Sequence, residues 1–205
     1  MYTPDRYKNE NREELLAFVK KNVFGILIVD DLGKPVATHI PMMLQEENES
    51  PFLIGHISKE NEQGNLFHGS PQALAIFQGP HSYISSSWYN HENVSTWNYI
   101  AVHVYGKLTV LTELELYEHL IQLTNTMEAH SEKPKYFENI SPRVIRENVT
   151  GVTGFKMTIE SIQSSFKLSQ NRDEVTHKNI IHELEKRGDA NSKAIADEMK
   201  KHGHE

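Results

Sequence analysis

Apolar residues along this chain switch between two periods, and the switches divide it into elements. Asn11-Arg12-Glu13-Glu14 offers an N-cap with an acid three residues on, and Leu15, Leu16, Phe18 and Val19 follow at helical spacing. That predicts an amphipathic helix ending near residue 22. Residues 23–29 are continuously apolar and rich in β-branched side chains; Asp30-Asp31-Leu32-Gly33-Lys34 turns the chain, and 36–44 returns as the second strand of a hairpin. Pro35 and Pro41 belong at its ends or on an edge. An acidic loop at 45–50 leads into a third strand at 52–57. Ser58-Lys59-Glu60-Asn61-Glu62-Gln63 then opens a short helix to about residue 68. Its first turn would present free amides, a serine and a lysine to a phosphate, although any N-capped surface helix looks the same.

A fourth strand at 73–78 enters an aromatic stretch, 79–106, where turn signals at Gly79-Pro80 and at Asn90-His91-Glu92-Asn93 separate two extended runs. In the second run, Ile100, Val102 and Val104 share one face, and Tyr99, Ala101, His103 and Tyr105 share the other. The aliphatic face belongs in a core. The mixed face suits either a flat polar ligand or a small aromatic core or subunit contact. A long strand at 98–111 leaves the stretch. Thr112-Glu113-Leu114-Glu115 is a capping box, and Leu116, Tyr117, Leu120, Ile121 and Met127 mark one face of a helix to about residue 129. Residues 130–148 read as polar and irregular, with Pro134 and Pro142. Residues 152–162 alternate again as one strand, with Phe155, Met157 and Ile159 inward. Two short helices, about 173–187 and 192–202, close the chain around Gly188-Asp189. Six or so antiparallel strands with helices at the start, middle and end imply an α+β fold on a small closed barrel.

The sequence of 205 residues is 38% hydrophobic and 24% charged, the balance of an ordinary globular protein. It has no secretory h-region near its start and no apolar run of about 20 residues, so a cytoplasmic location without membrane contact is expected. With no cysteine there are no disulfides, thiolate metal sites or cysteine nucleophiles. The formal net charge of −7, with lysines and arginines scattered, leaves direct DNA binding without the usual basic footprint.

P-loop, GxGxxG, HExxH and GxSxG patterns are all missing. His81, His91 and His103 are not spaced as ligands on one element, and His202-Gly203-His204 reads as a tail, so no metal is expected. Flavin makes demands that the aromatic stretch can meet: walls for the ring, amides for its edge, and hydroxyls and a cation for its phosphate. Trp88, Tyr89, Trp97 and Tyr99 can supply walls; Asn98, Gln170 and Asn171 amides; Ser58, Lys59, Ser85 and Ser87 phosphate contacts; Lys107 or Lys167 a charge.

Four motifs occur in order: Tyr83-Ile84-Ser85-Ser86-Ser87-Trp88-Tyr89, Ser95-Thr96-Trp97-Asn98-Tyr99, Val102-His103-Val104-Tyr105-Gly106 and Phe166-Lys167-Leu168-Ser169-Gln170-Asn171-Arg172. Together they resemble the PaiB family over nearly the whole chain. The resemblance implies an FMN-binding split β-barrel of the pyridoxamine-phosphate-oxidase type, working as a homodimer with its ligand site between subunits. It implies a barrel domain over 1–171 and a C-terminal helical extension over 172–205. It also implies negative transcriptional regulation of protease synthesis and sporulation in Bacillus-type bacteria. The alternatives are a flavin-dependent oxidoreductase whose regulatory effect is indirect and, leaning on the histidines, a haem-handling split barrel. The motifs add His56, Asn61, Tyr83 and Thr96 to the expected FMN-binding residues. Ser86 and Ser95 stand where the family's motifs carry proline, and Ser58, Lys59, Glu62 and Gly64 depart from its H-x-A-R-x-N-P-Q-W segment. Lys59 keeps the cation but not the bidentate fork of arginine.

Overall fold

The computed structural model describes residues 1–47 and 50–202, so part of the acidic loop, and Gly203 and His204 of the terminal histidine cluster, lie outside it. Its helices are Arg12–Lys21 (α1), Glu113–Glu128 (α2), Pro142–Val149 (α3), Glu174–Arg187 (α4) and Ala190–Lys201 (α5). The strands are Phe24–Asp31 (β1), Lys34–Glu47 (β2), Ser50–Ser58 (β3), Gln72–Ile84 (β4), Thr96–Val110 (β5), Val152–Thr158 (β6) and Ser161–Lys167 (β7). Their order is β4-β1-β2-β3-β6-β5-β7, and an additional β4–β5 pairing closes the first six into a ring. The registers that define it are antiparallel, as in Leu27 opposite Thr38 and Ala75, Leu53 opposite Leu44 and Met157, and Leu108 opposite Met157. An edge-free ring is how a small antiparallel sheet buries one face without leaving open backbone groups.

The chain forms two compact units, each assembled from separate stretches: 1–18, 77–103 and 163–205 in one, 19–76 and 104–162 in the other. In the second, Leu27, Met42, Leu53, Phe67, Leu108, Phe155 and Met157 are essentially inaccessible to solvent. Phe67 and Phe155 meet edge to face at 5.3 Å. Burying each such side chain contributes about 2 kcal/mol before the entropy of ordering it. Gly106 is dictated by the backbone: a Cβ there would lie 1.6 Å from the Thr158 carbonyl oxygen. The buried Gln63 donates from Nε2 to the carbonyls of Leu27 and Val36, so it ties the segment after β3 to the β1–β2 hairpin. The expected helix from residue 58 is a 3₁₀ turn over Glu62–Phe67, capped by Asn61.

In the first unit Phe77, Ile84, Ile100, Val102, Phe166, Leu168, Ile180, Leu184, Ile195 and Met199 form the core. α4 and α5 are set by explicit stops and starts: Asp173 and Asp189 are the N-caps, and Gly188 ends α4 in the left-handed region at φ 79°. The C-terminal segment from residue 172 onward is part of this unit.

Four expectations change. β4 runs straight through Gly79-Pro80, because the glycine is there for packing: a Cβ would come within 2.8 Å of the Phe18 ring. The single strand at 152–162 is two, β6 and β7, broken at Ile159-Glu160. α3 lies inside the segment read as irregular, with Pro142 as its first residue, where the missing N–H is harmless. In α2, Tyr117 and Met127 stay 40% exposed, Tyr117 with its ring edge to face against Phe137, while Leu116 and His119 are buried. No helix among the described residues is long and apolar enough to cross a membrane.

Candidate functional site

The expected site residues fall into two groups, one in each unit. The alternation of β5 works as the pattern implies, with Ile100, Val102 and Val104 buried and Tyr99, Ala101, His103 and Tyr105 half-buried; residues up to His103 lie in the first unit. Trp97, on the outer side, remains 51% exposed, although His81 and Tyr83 brace it at centroid distances of 5.8 and 6.0 Å. Trp88 sits in the 3₁₀ turn Ser86–Trp88 with the Arg187 guanidinium 5.0 Å from its ring, and Tyr89 carries Arg172 at 4.5 Å. Ser85 caps that turn: its Oγ accepts from the Ser87 N–H and pairs with the Ser87 hydroxyl at 2.8 Å. Ser85 is extended (φ −74°, ψ 138°), the shape a residue takes ahead of proline, though Ser86 follows it.

The amides expected along the ligand edge mostly serve the fold. Asn98 is fully buried; its Oδ1 accepts from the Ser169 hydroxyl and its Nδ2 donates to Met199 Sδ, which ties β5 to the last turn and α5. Gln170 bonds back within its own turn, accepting from the Leu168 N–H and donating to the Phe166 carbonyl. Asn171 is exposed and accepts from the Tyr7 hydroxyl. The turn is tight enough to hold Ser169 at φ 63°, a left-handed conformation unusual for serine. Lys167, at its start, donates to Thr96 Oγ1 at 2.6 Å, and Tyr99 accepts from Ser165. Burial, and then the nearby Arg172 charge, lower the pKa of Lys167.

In the second unit, the free amides expected after β3 are occupied. Lys59 N–H donates to the Gly151 carbonyl, Glu60 N–H to Ser58 Oγ, Asn61 N–H to the Ser58 carbonyl, and Gln63 N–H to Asn61 Oδ1. Asn61 also donates to Thr38, so it is a structural cap. What remains for a ligand is the Lys59 side chain, which lines a cleft of about 360 Å³ with Leu116, Val149 and Val152. Lys107 pairs with Glu160 at 3.8 Å and so is not a free charge.

His56 finds a partner that the pattern did not indicate. Its Nδ1 lies 3.1 Å from Nε2 of His119 on α2, with the rings edge to face at 5.3 Å. One proton serves the two facing nitrogens, so one ring donates and the other accepts. Burial lowers both pKa values; for His119 burial first, and then the His56 charge, bring it to about 4. The signal was present: His119 lies three residues after Leu116, on the buried stripe of α2. Arg172 and Arg187, which back the two aromatic rings, were likewise not singled out. Among the described residues no cluster of three or more acids and histidines could hold a metal.

Residues 1–161 match the family described as "Putative FMN-binding domain". "Protease synthase and sporulation protein PAI 2" of Bacillus subtilis (strain 168) is 41% identical over 199 residues, 97% of this chain and 96% of that protein. The chain belongs to the PaiB family. A more distant relative of this PaiB-family chain, "Uncharacterized protein YKL070W" of Saccharomyces cerevisiae, is 32% identical over 54% of this chain and 68% of its own. Among solved structures, the flavocytochrome Anf3 from Azotobacter vinelandii superposes with a TM-score of 0.61 at 13% identity, covering 78% of this chain and 69% of that one. The FAD and heme binding protein from Mycobacterium smegmatis gives 0.58 at 13% identity, covering 78% and 73%. At such identity these likenesses speak to fold alone, and the fold of the PaiB-family chain is the split β-barrel.

Proposed function

We propose that this PaiB-family chain is a cytoplasmic FMN-binding regulator that works as a homodimer and represses genes of protease synthesis and sporulation. The observation that carries the ligand is Trp97: a large indole in contact with the His81 and Tyr83 rings yet half exposed keeps ring surface open for a planar ligand. The donor set fits a flavin's needs in that unit. Tyr83 and Trp97 offer ring surface, Thr96 and Ser87 hydroxyls, and Lys167 a cation with no carboxylate partner among the described residues. Asn98, Gln170 and Asn61 support the frame that holds those groups; Lys59 and Ser58 stand as separate candidates in the other unit. The flavin when bound supplies redox chemistry, and these residues bind and orient it. Membership in the family of PAI 2 supports regulation as the output, through DNA or through another regulator.

The test is to purify the full chain, record its flavin absorbance, and run a gel-shift on its own upstream region at stated salt with and without FMN. A flavin-dependent shift supports the repressor. No flavin uptake rejects the ligand, and NAD(P)H oxidation with added FMN, without any shift, favours the oxidoreductase reading.

A further inference from the structure

We propose that Lys167 and Arg172 form a receptor for a phosphate-type oxyanion. They stand at the two ends of one tight turn in the first unit, held in shape by Ser169 in its left-handed conformation and by Gln170 bonded to both Leu168 and Phe166. Both are half-buried, and they are close enough for the charge of Arg172 to disfavour protonation of Lys167. Two like charges drawn out of water ordinarily carry a carboxylate between them. Among the described residues neither has one. Lys167 meets only the neutral Thr96 hydroxyl, at 2.6 Å. Arg172 lies over the Tyr89 ring at 4.5 Å, reaches its hydroxyl only at 3.5 Å, and keeps a buried Nε without an acceptor. The adjacent Asp173 carboxylate is committed elsewhere: it accepts from the N–H and hydroxyl of Thr176 and from Asn90 Nδ2.

The arrangement has the donors an oxyanion needs. A guanidinium with an unused N–H, an ammonium with two further protons, and a hydroxyl provide donors of the right kind. Filling the site would remove the repulsion between the cations and satisfy Arg172 Nε together. The phosphate of a bound FMN and a separate phosphate-bearing ligand share this chemistry. The inference rests on the charges of the first unit and stands whether or not flavin binds.

The experiment uses the full-length chain and two probes. Inorganic phosphate is titrated at constant ionic strength against chloride, following thermal unfolding; FMN and riboflavin, which lacks the phosphate, are then titrated in parallel. Wild type should be stabilised by phosphate, Lys167→Met and Arg172→Met should need at least about tenfold more of it, and Lys167→Arg should respond as wild type. Circular dichroism confirms that each variant folds. FMN binding about tenfold tighter than riboflavin, with the preference lost in Lys167→Met, assigns the oxyanion to the flavin. Equal flavin affinities, or no flavin binding, alongside the phosphate response assign it to a separate ligand. A phosphate response and FMN preference unchanged in both methionine variants, or absent from wild type, overturn the proposal.

Discussion

Replacing His119 with glutamine should flatten the dependence of stability on acid. Glutamine can still offer an N–H to His56 Nδ1, but it cannot take up a proton. In the native chain His119 titrates near 4, against an ordinary value of 6.5 once unfolded. Below pH 6.5 the unfolded chain therefore holds more protons, and acid favours unfolding. The stability contributed by the neutral imidazole is complete above about pH 6.5 and is lost as the pH falls towards about 4. That interval, at about 1.4 kcal/mol per pH unit, sets a ceiling of about 3 kcal/mol. Urea unfolding followed by circular dichroism at pH 7.5, 6.5, 5.5 and 4.5, at one ionic strength, measures it. Every other titrating side chain is common to both proteins, so its contribution cancels in the difference. Wild type should lose up to about 3 kcal/mol more than His119→Gln across the window. Parallel curves would show that the His56–His119 contact is not the desolvated pair described here.

Trp97→Ala should weaken FMN binding by about 1–2 kcal/mol, roughly 5- to 30-fold in Kd, by flavin fluorescence titration; equal constants reject Trp97 as a wall. Gly106→Ala drives a methyl group into the Thr158 carbonyl, so it should destabilise by about 3 kcal/mol or more, seen as a lowered urea midpoint or insoluble protein. Asn98→Ala leaves the buried Ser169 hydroxyl without its acceptor and should cost about 1–3 kcal/mol in urea unfolding while the secondary structure persists.

The hairpin of β1 and β2, the inward aliphatic face of β5 and the capped start of α2 could be read from the chain because each depends on neighbours in sequence. What escaped depended on residues far away. Gly79-Pro80 looks like a turn until the Phe18 ring occupies the glycine's missing side chain. Pro142 looks like a breaker until it proves to be the first residue of α3. Of the rings in the aromatic stretch, Tyr83 and Trp97 remain at the surface, which local alternation could indicate. The roles of its amides were not: Asn98 and Gln170 are polar in any listing of residues, and only the folded chain reveals that their hydrogen bonds point inward. His56 was singled out without its partner, because 63 positions separate it from His119.

In the bend that carries Trp88, Ser85 has the extended backbone that suits a residue ahead of proline, yet serine follows at Ser86 and hydroxyl contacts between Ser85 and Ser87 hold the turn. A pyrrolidine restrains a loop by removing alternatives from the disordered chain, whereas hydroxyls restrain it through bond enthalpy. The two devices answer heat differently. Warming erodes the serine-made bend first, so the tryptophan it presents should become mobile on warming before the surrounding strands melt.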